Sequence, residues 1–343
     1  MAADADDSSA DVGIIFAIEH EAGFLTIEHA HAHALPKPWG IVDLRPWSKI
    51  RQEDHPIGEI WYERADANAS NSSLLLKLLF TNQPLSIQVH PGDAYARSIG
   101  LPRGKSEAWY ILRAAPESKI ALGLKGPLTS QQLREAIDTG SILDLVRWQS
   151  VSPGDSIFVP AGTIHSIGAG LVIAEIQQRN DATFRLFDFG RQRELHRERA
   201  IAVAAAGPVG IAVSPSQLTE QRTLLTANEH FVFEKIDLPP NTAWNLEAER
   251  ETWFLIVDGT ARIGSLDVTI GDVMFMQADR ADIQSGSIGL VGLVAYTGGD
   301  LAPQLLERRE QRDLINAGPQ GIPVAGFPQA KAIATNESLD IIK

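Results

Sequence analysis

Short alternating runs of apolar residues dominate the chain, and two stretches with a helical period interrupt them. Residues 13–27 carry Ile- and Phe-rich runs broken by Glu and Gly, which favours strands over helix. Gly58-Glu59-Ile60-Trp61-Tyr62-Glu63 and the apolar run at residues 74–80 read as two more strands, with the Ser/Asn-rich residues 65–73 as a turn between them. Between Lys125 and Trp148 the period changes. Thr129 can cap a helix there, Gln132 three residues later completes a capping box, and Gly140 can close it. Residues 141–148 predict a second short helix, and residues 194–206 a third that ends at Gly207-Pro208. Strand signals resume near Gly154 and return over residues 218–296, with turns at Pro239-Pro240-Asn241, Asp258-Gly259 and Gly271-Asp272. The pattern predicts a mainly β protein with helical insertions.

The strand pattern also contains an internal echo. Glu107-Ala-Trp109-Tyr110-Ile111-Leu112 is matched by Glu251-Thr-Trp253-Phe254-Leu255-Ile256, and Gly154-Asp155 by Gly271-Asp272. The first pair of landmarks lies 47 residues apart and the second 20, and a helical insertion at 125–148 accounts for most of the difference. Two related β units explain this economically, the first enlarged by helices. In the second, Gln277, Asp279 and Asp282 stand where the first has Pro160, Gly162 and His165, so its metal-type residues are gone.

Composition narrows the function classes. With 44% hydrophobic and 21% charged residues in 343, the chain is long enough for a large core and ordinary for a globular protein. A formal net charge of −13 disfavours nucleic acid and anionic membrane as partners; an anionic small molecule would need a local cluster of cations. The absence of cysteine excludes disulfides and thiolate ligands, fits a cytoplasmic location, and leaves His, carboxylate and amide oxygen to hold any metal. Residues 1–12 read as an acidic tail without the features of a signal peptide, so the glycosylation patterns at Asn68 and Asn71 are taken as accidental.

Candidate chemistry concentrates between residues 86 and 191. Gln88 and His90, two apart, share a face of a strand; Glu107 opens another with Trp109 on the same face; His165 follows a turn shaped by Pro160 and Gly162. Imidazole and carboxylate suit Zn, Mn, Fe or Co. His29, His31 and His33 would also share a face, but without a carboxylate nearby they read as a polar edge segment.

Gly154-x5-Pro160-x-Gly162-x2-His165 resembles the second motif of the cupin superfamily, and Gln88-x-His90 with Glu107 a stretched form of the first. Gln88 stands where His is usual, and Ala169 replaces the closing Asn. Lys37-Pro-Trp39-Gly40, Pro84-Leu-Ser86-Ile-Gln88-Val-His90-Pro91, Gly104-Lys105-Ser-Glu107, Pro160-Ala-Gly162-Thr-Ile-His165 and Glu175 through Arg191 resemble the type I mannose-6-phosphate isomerases in their short bacterial form. The resemblance implies a double cupin, that is, two jelly-roll β-barrels: a metal-bearing domain at 13–215 with insertions near 125–148 and 193–206, a degenerate second domain at 216–298, and an extension at 299–343. It implies one Zn2+ per chain held by Gln88, His90, Glu107 and His165, a sugar-phosphate substrate, Arg185 as the active-site arginine, and Lys105, Asp181 and Trp39 at pocket positions.

The chemistry is consistent with that assignment. An aldose–ketose isomerase opens a sugar ring, removes a proton from C2, stabilises an enediolate and returns a proton to C1. Arg185 could face the developing oxyanion. Lys105, Glu175, Asp181 or a metal-bound water could act as base, and Lys105, Arg103, Arg179 or Arg191 could anchor the phosphate. Three rival readings are a non-catalytic sugar-binding cupin, an iron oxygenase, and an isomerase of an unphosphorylated sugar. The sequence leaves the oligomeric state open.

Overall fold

The computed structural model describes residues 27–50, 55–65, 72–210 and 214–309. The acidic tail, the strands expected over 13–26, the Asn68 and Asn71 sites and the polar stretch from 310 onward lie outside the described residues.

Three antiparallel sheets carry the chain. A six-stranded sheet runs in the order His31–Ile41, Ile57–Glu63, Leu74–Phe80, Leu171–Gln178, Glu107–Ala114, Ser156–Val159. A five-stranded sheet runs Phe184–Phe187, Ile87–Val89, His165–Ile167, Lys119–Leu124, Val146–Ser150. Residues 216–308 supply nine strands of a ten-stranded sheet, and Glu28–His29 joins it by pairing with Val273–Met276.

Period-2 alternation decides what each sheet face does. The strand Leu74–Phe80 is buried along its whole length. Leu74, Leu76, Leu78 and Phe80 enter a core shared with Phe231, Phe233, Trp253 and Phe275 of the ten-stranded sheet, while Leu79 packs with Ile111, Ile173 and Leu122 between the other two sheets. Lys77 is on that second, inward face. In the neighbouring strand Val172, Ala174 and Ile176 join the shared core, and Glu175 faces inward opposite Lys77. The five-stranded sheet turns Ile87 and Val89 outward onto Leu133, Ala136 and Ile137 of a helix, which leaves Gln88 facing the other way.

That helix, Ser130–Thr139, has the expected capping box at Thr129 and Gln132 and ends at Gly140 in the left-handed conformation. The helix expected at 141–148 is cut to Ile142–Leu145, because Val146–Ser150 pairs as a strand with Lys119–Leu124. The third helix covers Arg197–Val203 only, and a further one, Asp93–Ser98, forms where no helix was expected. Leu306–Arg308 pairs with Ala243–Ala248, so part of the stretch beyond Gly299 belongs to the ten-stranded sheet. Among the described residues no helix is long and apolar enough to cross a membrane.

The internal echo is present in three dimensions. Trp109 Nε1 donates to Glu107 Oε1 at 3.1 Å, and Trp253 Nε1 donates to Glu251 Oε1 at 3.0 Å. Glu251, however, accepts the backbone N–H groups of Ser73 and Leu74 at 2.5 and 2.8 Å, fastening the start of a strand of the six-stranded sheet.

Candidate active site

Sheet register assembles the site from two facing sheets. Across the five-stranded sheet, Arg185, Gln88 and His165 form one row on adjacent strands, and His90 follows Gln88 by two. Across the six-stranded sheet, Trp61, Lys77, Glu175 and Trp109 form a row, with Glu107 and Gln177 paired in the next inward row. The loop carrying Lys105 reaches the centre because Gly104 lies against the Pro91–Asp93 turn, where a Cβ would stand 2.7 Å from Pro91 O and Asp93 N. The Lys105 N–H then donates to Pro91 O at 3.0 Å.

His90, Glu107 and His165 are each about 1% exposed, and their ligand atoms lie within 4.8 Å of one another. His90 Nδ1 meets Ala182 O and His165 Nδ1 meets Thr163 O, both at 2.9 Å, which places a hydrogen on each Nδ1 and makes each Nε2 an acceptor. Those acceptors face Glu107: His90 Nε2 is 3.3 Å from Oε2, and His165 Nε2 is 3.4 Å from Oε1. Burial, then the Lys105 charge, pushes His90 down to about 3, so the ring is neutral. Burial also lowers His165. For Glu107 burial acts upward, but Lys105 and then His90 overcome it and hold the carboxyl well below the usual range.

Acceptors therefore face acceptors in a buried cluster, and Glu107 Oε2 makes no well-formed hydrogen bond there. Such a set fits a divalent cation. The Lys105 ammonium, 3.0 Å from His90 Nε2 and 3.2 Å from Glu107 Oε2, supplies only part of the missing positive charge. The Gln88 amide lies 3.3 Å from His165 Nε2, and because amide O and N exchange by a half-turn it can offer an oxygen to the same centre. The structure thus brings Gln88, whose Oε1 accepts from Ser86 Oγ at 2.8 Å, beside His90, Glu107 and His165. His29, His31 and His33 are not among the metal-capable groups of the described residues; His33 instead meets Glu63 at 3.3 Å.

The cluster opens onto a cleft of about 200 Å³ whose wall carries five cations, Lys37, Lys77, Lys105, Arg185 and Arg193, against four carboxylates, Glu59, Glu107, Glu175 and Asp181. This local excess of positive charge in a chain of net −13 is what an anionic substrate requires. Trp39 lines the cleft as expected, with the Arg193 guanidinium 5.0 Å from its ring. Asp181 is at the exposed rim, 3.9 Å from Lys77 Nζ. Glu175 is buried between Lys77 Nζ at 3.6 Å and Trp109 Nε1 at 3.1 Å, and burial, with Glu107 nearby, pushes it up to about 7.

The phosphate anchors proposed from sequence are only partly in place. Lys105 lines the cleft, but Arg103 reaches Ser72 O, Arg179 is held by Leu74 O and Glu63, and Arg191 is held by Asp188 and Pro84 O. The other cations on the cleft wall are Lys37, 3.3 Å from Glu59, Lys77 beside Glu175, and Arg193, held by Asp188; of these the sequence motifs include only Lys37. Lys77 did carry a signal, as a lone charge inside the run Leu74-Leu-Leu-Lys-Leu-Leu-Phe80.

No protein-family model matches the chain. Over 238 residues it is 31% identical to a mannose-6-phosphate isomerase of Streptococcus mutans, an alignment spanning 66% of this chain and 73% of that protein. The chain belongs to the mannose-6-phosphate isomerase family. A second relative, the mannose-6-phosphate isomerase ManA of Bacillus subtilis, is 40% identical over 137 residues, 38% of this chain and 43% of that one. The fold agrees with the crystal structure of the mannose 6-phosphate isomerase from Bacillus subtilis, with a TM-score of 0.68 and 23% identity over 79% of this chain and 99% of that one. A putative mannosephosphate isomerase from Archaeoglobus fulgidus superposes with a TM-score of 0.62 at 17% identity, over 80% of this chain and 98% of that one.

Proposed function

We propose that the protein interconverts mannose 6-phosphate and fructose 6-phosphate through an enediolate, with one zinc ion held by Gln88, His90, Glu107 and His165. The observation that carries this reading is the convergence of two imidazole Nε2 atoms and one carboxylate beside the uncommitted guanidinium of Arg185, in an electropositive cleft. When bound, the metal supplies Lewis-acid polarisation of the sugar oxygens at C1 and C2.

The chain's own groups account for the remaining requirements. Arg185 Nε is buried and meets no acceptor among the described residues, so its donors are available to a developing oxyanion at no cost in existing bonds. Glu175 is suited to move the proton between C2 and C1. Its pKa of about 7 is matched to neutral pH, and the Trp109 N–H shared with Glu107 fixes its orientation. Lys105 is buried, its pKa is raised by Glu107 and Glu175 against the effect of burial, and it is therefore a permanent charge rather than a base. Arg193 and Lys37, both near the Trp39 ring, would receive the phosphoryl group in exchange for their present partners Asp188 and Glu59. A cytoplasmic location fits a cysteine-free enzyme acting on a phosphorylated sugar.

The test is a coupled assay for fructose 6-phosphate with and without chelator, alongside metal analysis. About one zinc per chain, lost together with activity, is the expected result. An active metal-free protein, or equal efficiency on mannose and mannose 6-phosphate, would sink the reading.

A further inference from the structure

Arg185 is on Phe184–Phe187, the edge strand of the five-stranded sheet. Its position poses a problem. The pairing with Ile87–Val89 is irregular between Arg185 and Phe187, so the regular ladder does not dictate where the side chain points. The guanidinium gains no anchor from its own Nε, and the nearby Arg193 charge repels it. What holds the residue is on the outer edge of the strand. The His196 N–H donates to Arg185 O at 2.9 Å, and the Arg185 N–H donates to His196 Nδ1 at 3.1 Å.

Residue 196 thus acts as a one-residue substitute for a neighbouring strand, using its ring as the acceptor. The ring is fixed in turn. It packs against Phe184 with centroids 6.1 Å apart, and it immediately precedes the helix Arg197–Val203. Arg197 pairs with Asp138 and Glu198 with Arg134, both partners on the helix Ser130–Thr139. Burial and the Arg185 charge lower the imidazole pKa, which agrees with a lone pair at Nδ1.

We propose that His196 is a positioning residue for the isomerase reaction: its Nδ1 and backbone N–H pin the irregular edge at Arg185 and so aim the guanidinium into the cleft beside Gln88. The inference rests on the isomerase reading and adds a role for the helical insertion, which is the support on which His196 stands.

Three variants separate the possibilities, since an Asn amide falls near Nδ1, a Gln amide near Nε2, and Phe offers neither. His196→Asn should keep kcat within about threefold of the parent, while His196→Gln and His196→Phe should lower it about 10- to 100-fold with KM and bound metal unchanged. In an Arg185→Ala background His196→Phe should bring no further loss, because the residue acts only through Arg185. Amide hydrogen exchange over residues 184–187 gives a readout independent of turnover, and it should speed up in His196→Phe and stay near the parent rate in His196→Asn. Parent-like kcat and exchange in His196→Phe would overturn the proposal. So would rescue by Gln but not Asn, or an equal further loss in the Arg185→Ala background. If the Phe variant fails to fold, Asn against Gln at equal metal content decides the matter. A parent protein inert toward mannose 6-phosphate would sink the isomerase reading alone, and the exchange experiment would still judge His196.

Discussion

The ligands and the arginine should fail in different ways when removed. His165→Ala takes away one of three buried ligand groups and should lose metal and activity together, as measured by metal analysis and assay of the same sample. Arg185→Ala touches no ligand and should keep the metal while kcat falls by about 10²–10³, the usual effect of losing one oxyanion donor. A loss under about tenfold would remove Arg185 from the chemistry. Lys77→Met is a third case, because it strands Glu175, buried beside it, without its cation. Breaking a buried pair from one side typically costs about 3–5 kcal/mol, and the denaturant midpoint should fall accordingly. The grouping of the four proposed ligands was legible in the sequence because strand alternation and the turn at Pro160 and Gly162 fix their places locally. Arg193 was not legible, since its place depends on Asp188, which binds both Arg191 and Arg193 and turns the loop back over Trp39.

Single elements show the same division between local and distant causes. The helix Ser130–Thr139 was readable to within a residue because its capping box and closing glycine are contained in its own sequence. Thr129→Ala should cost about 1 kcal/mol in thermal stability and leave kcat unchanged. Residues 146–148 were misread as helix because the strand Val146–Ser150 is set by Lys119–Leu124, a partner that periodicity does not reveal. The loop at Gly104 is more exacting. A methyl group there would meet backbone on the Pro91–Asp93 turn, with no flexible side chain to yield. Gly104→Ala should therefore displace Lys105 and reduce both kcat and metal affinity, and parent-like values for both would contradict the close approach.

At the scale of the whole molecule, the two β units share a core rather than merely touching. Phe231, Phe233, Trp253 and Phe275 pack against the same leucines that line the back of the six-stranded sheet, and Glu251 holds the N–H groups of Ser73 and Leu74 where the strand Leu74–Phe80 begins. Phe233→Ala should cost about 3–5 kcal/mol, and far-ultraviolet and tryptophan signals should still report one unfolding transition. Two separate transitions would show that the units are independent. Sequence alone could suggest the duplication but not this fusion, because the apolar run at 74–80 does not say which of its faces meets another sheet. The strand Leu74–Phe80 presents leucines to one unit and Lys77 to the other, and it has no solvent side to absorb change. A change in the packing surface of the ten-stranded sheet is thereby passed, one residue along this strand, to the lysine beside Glu175.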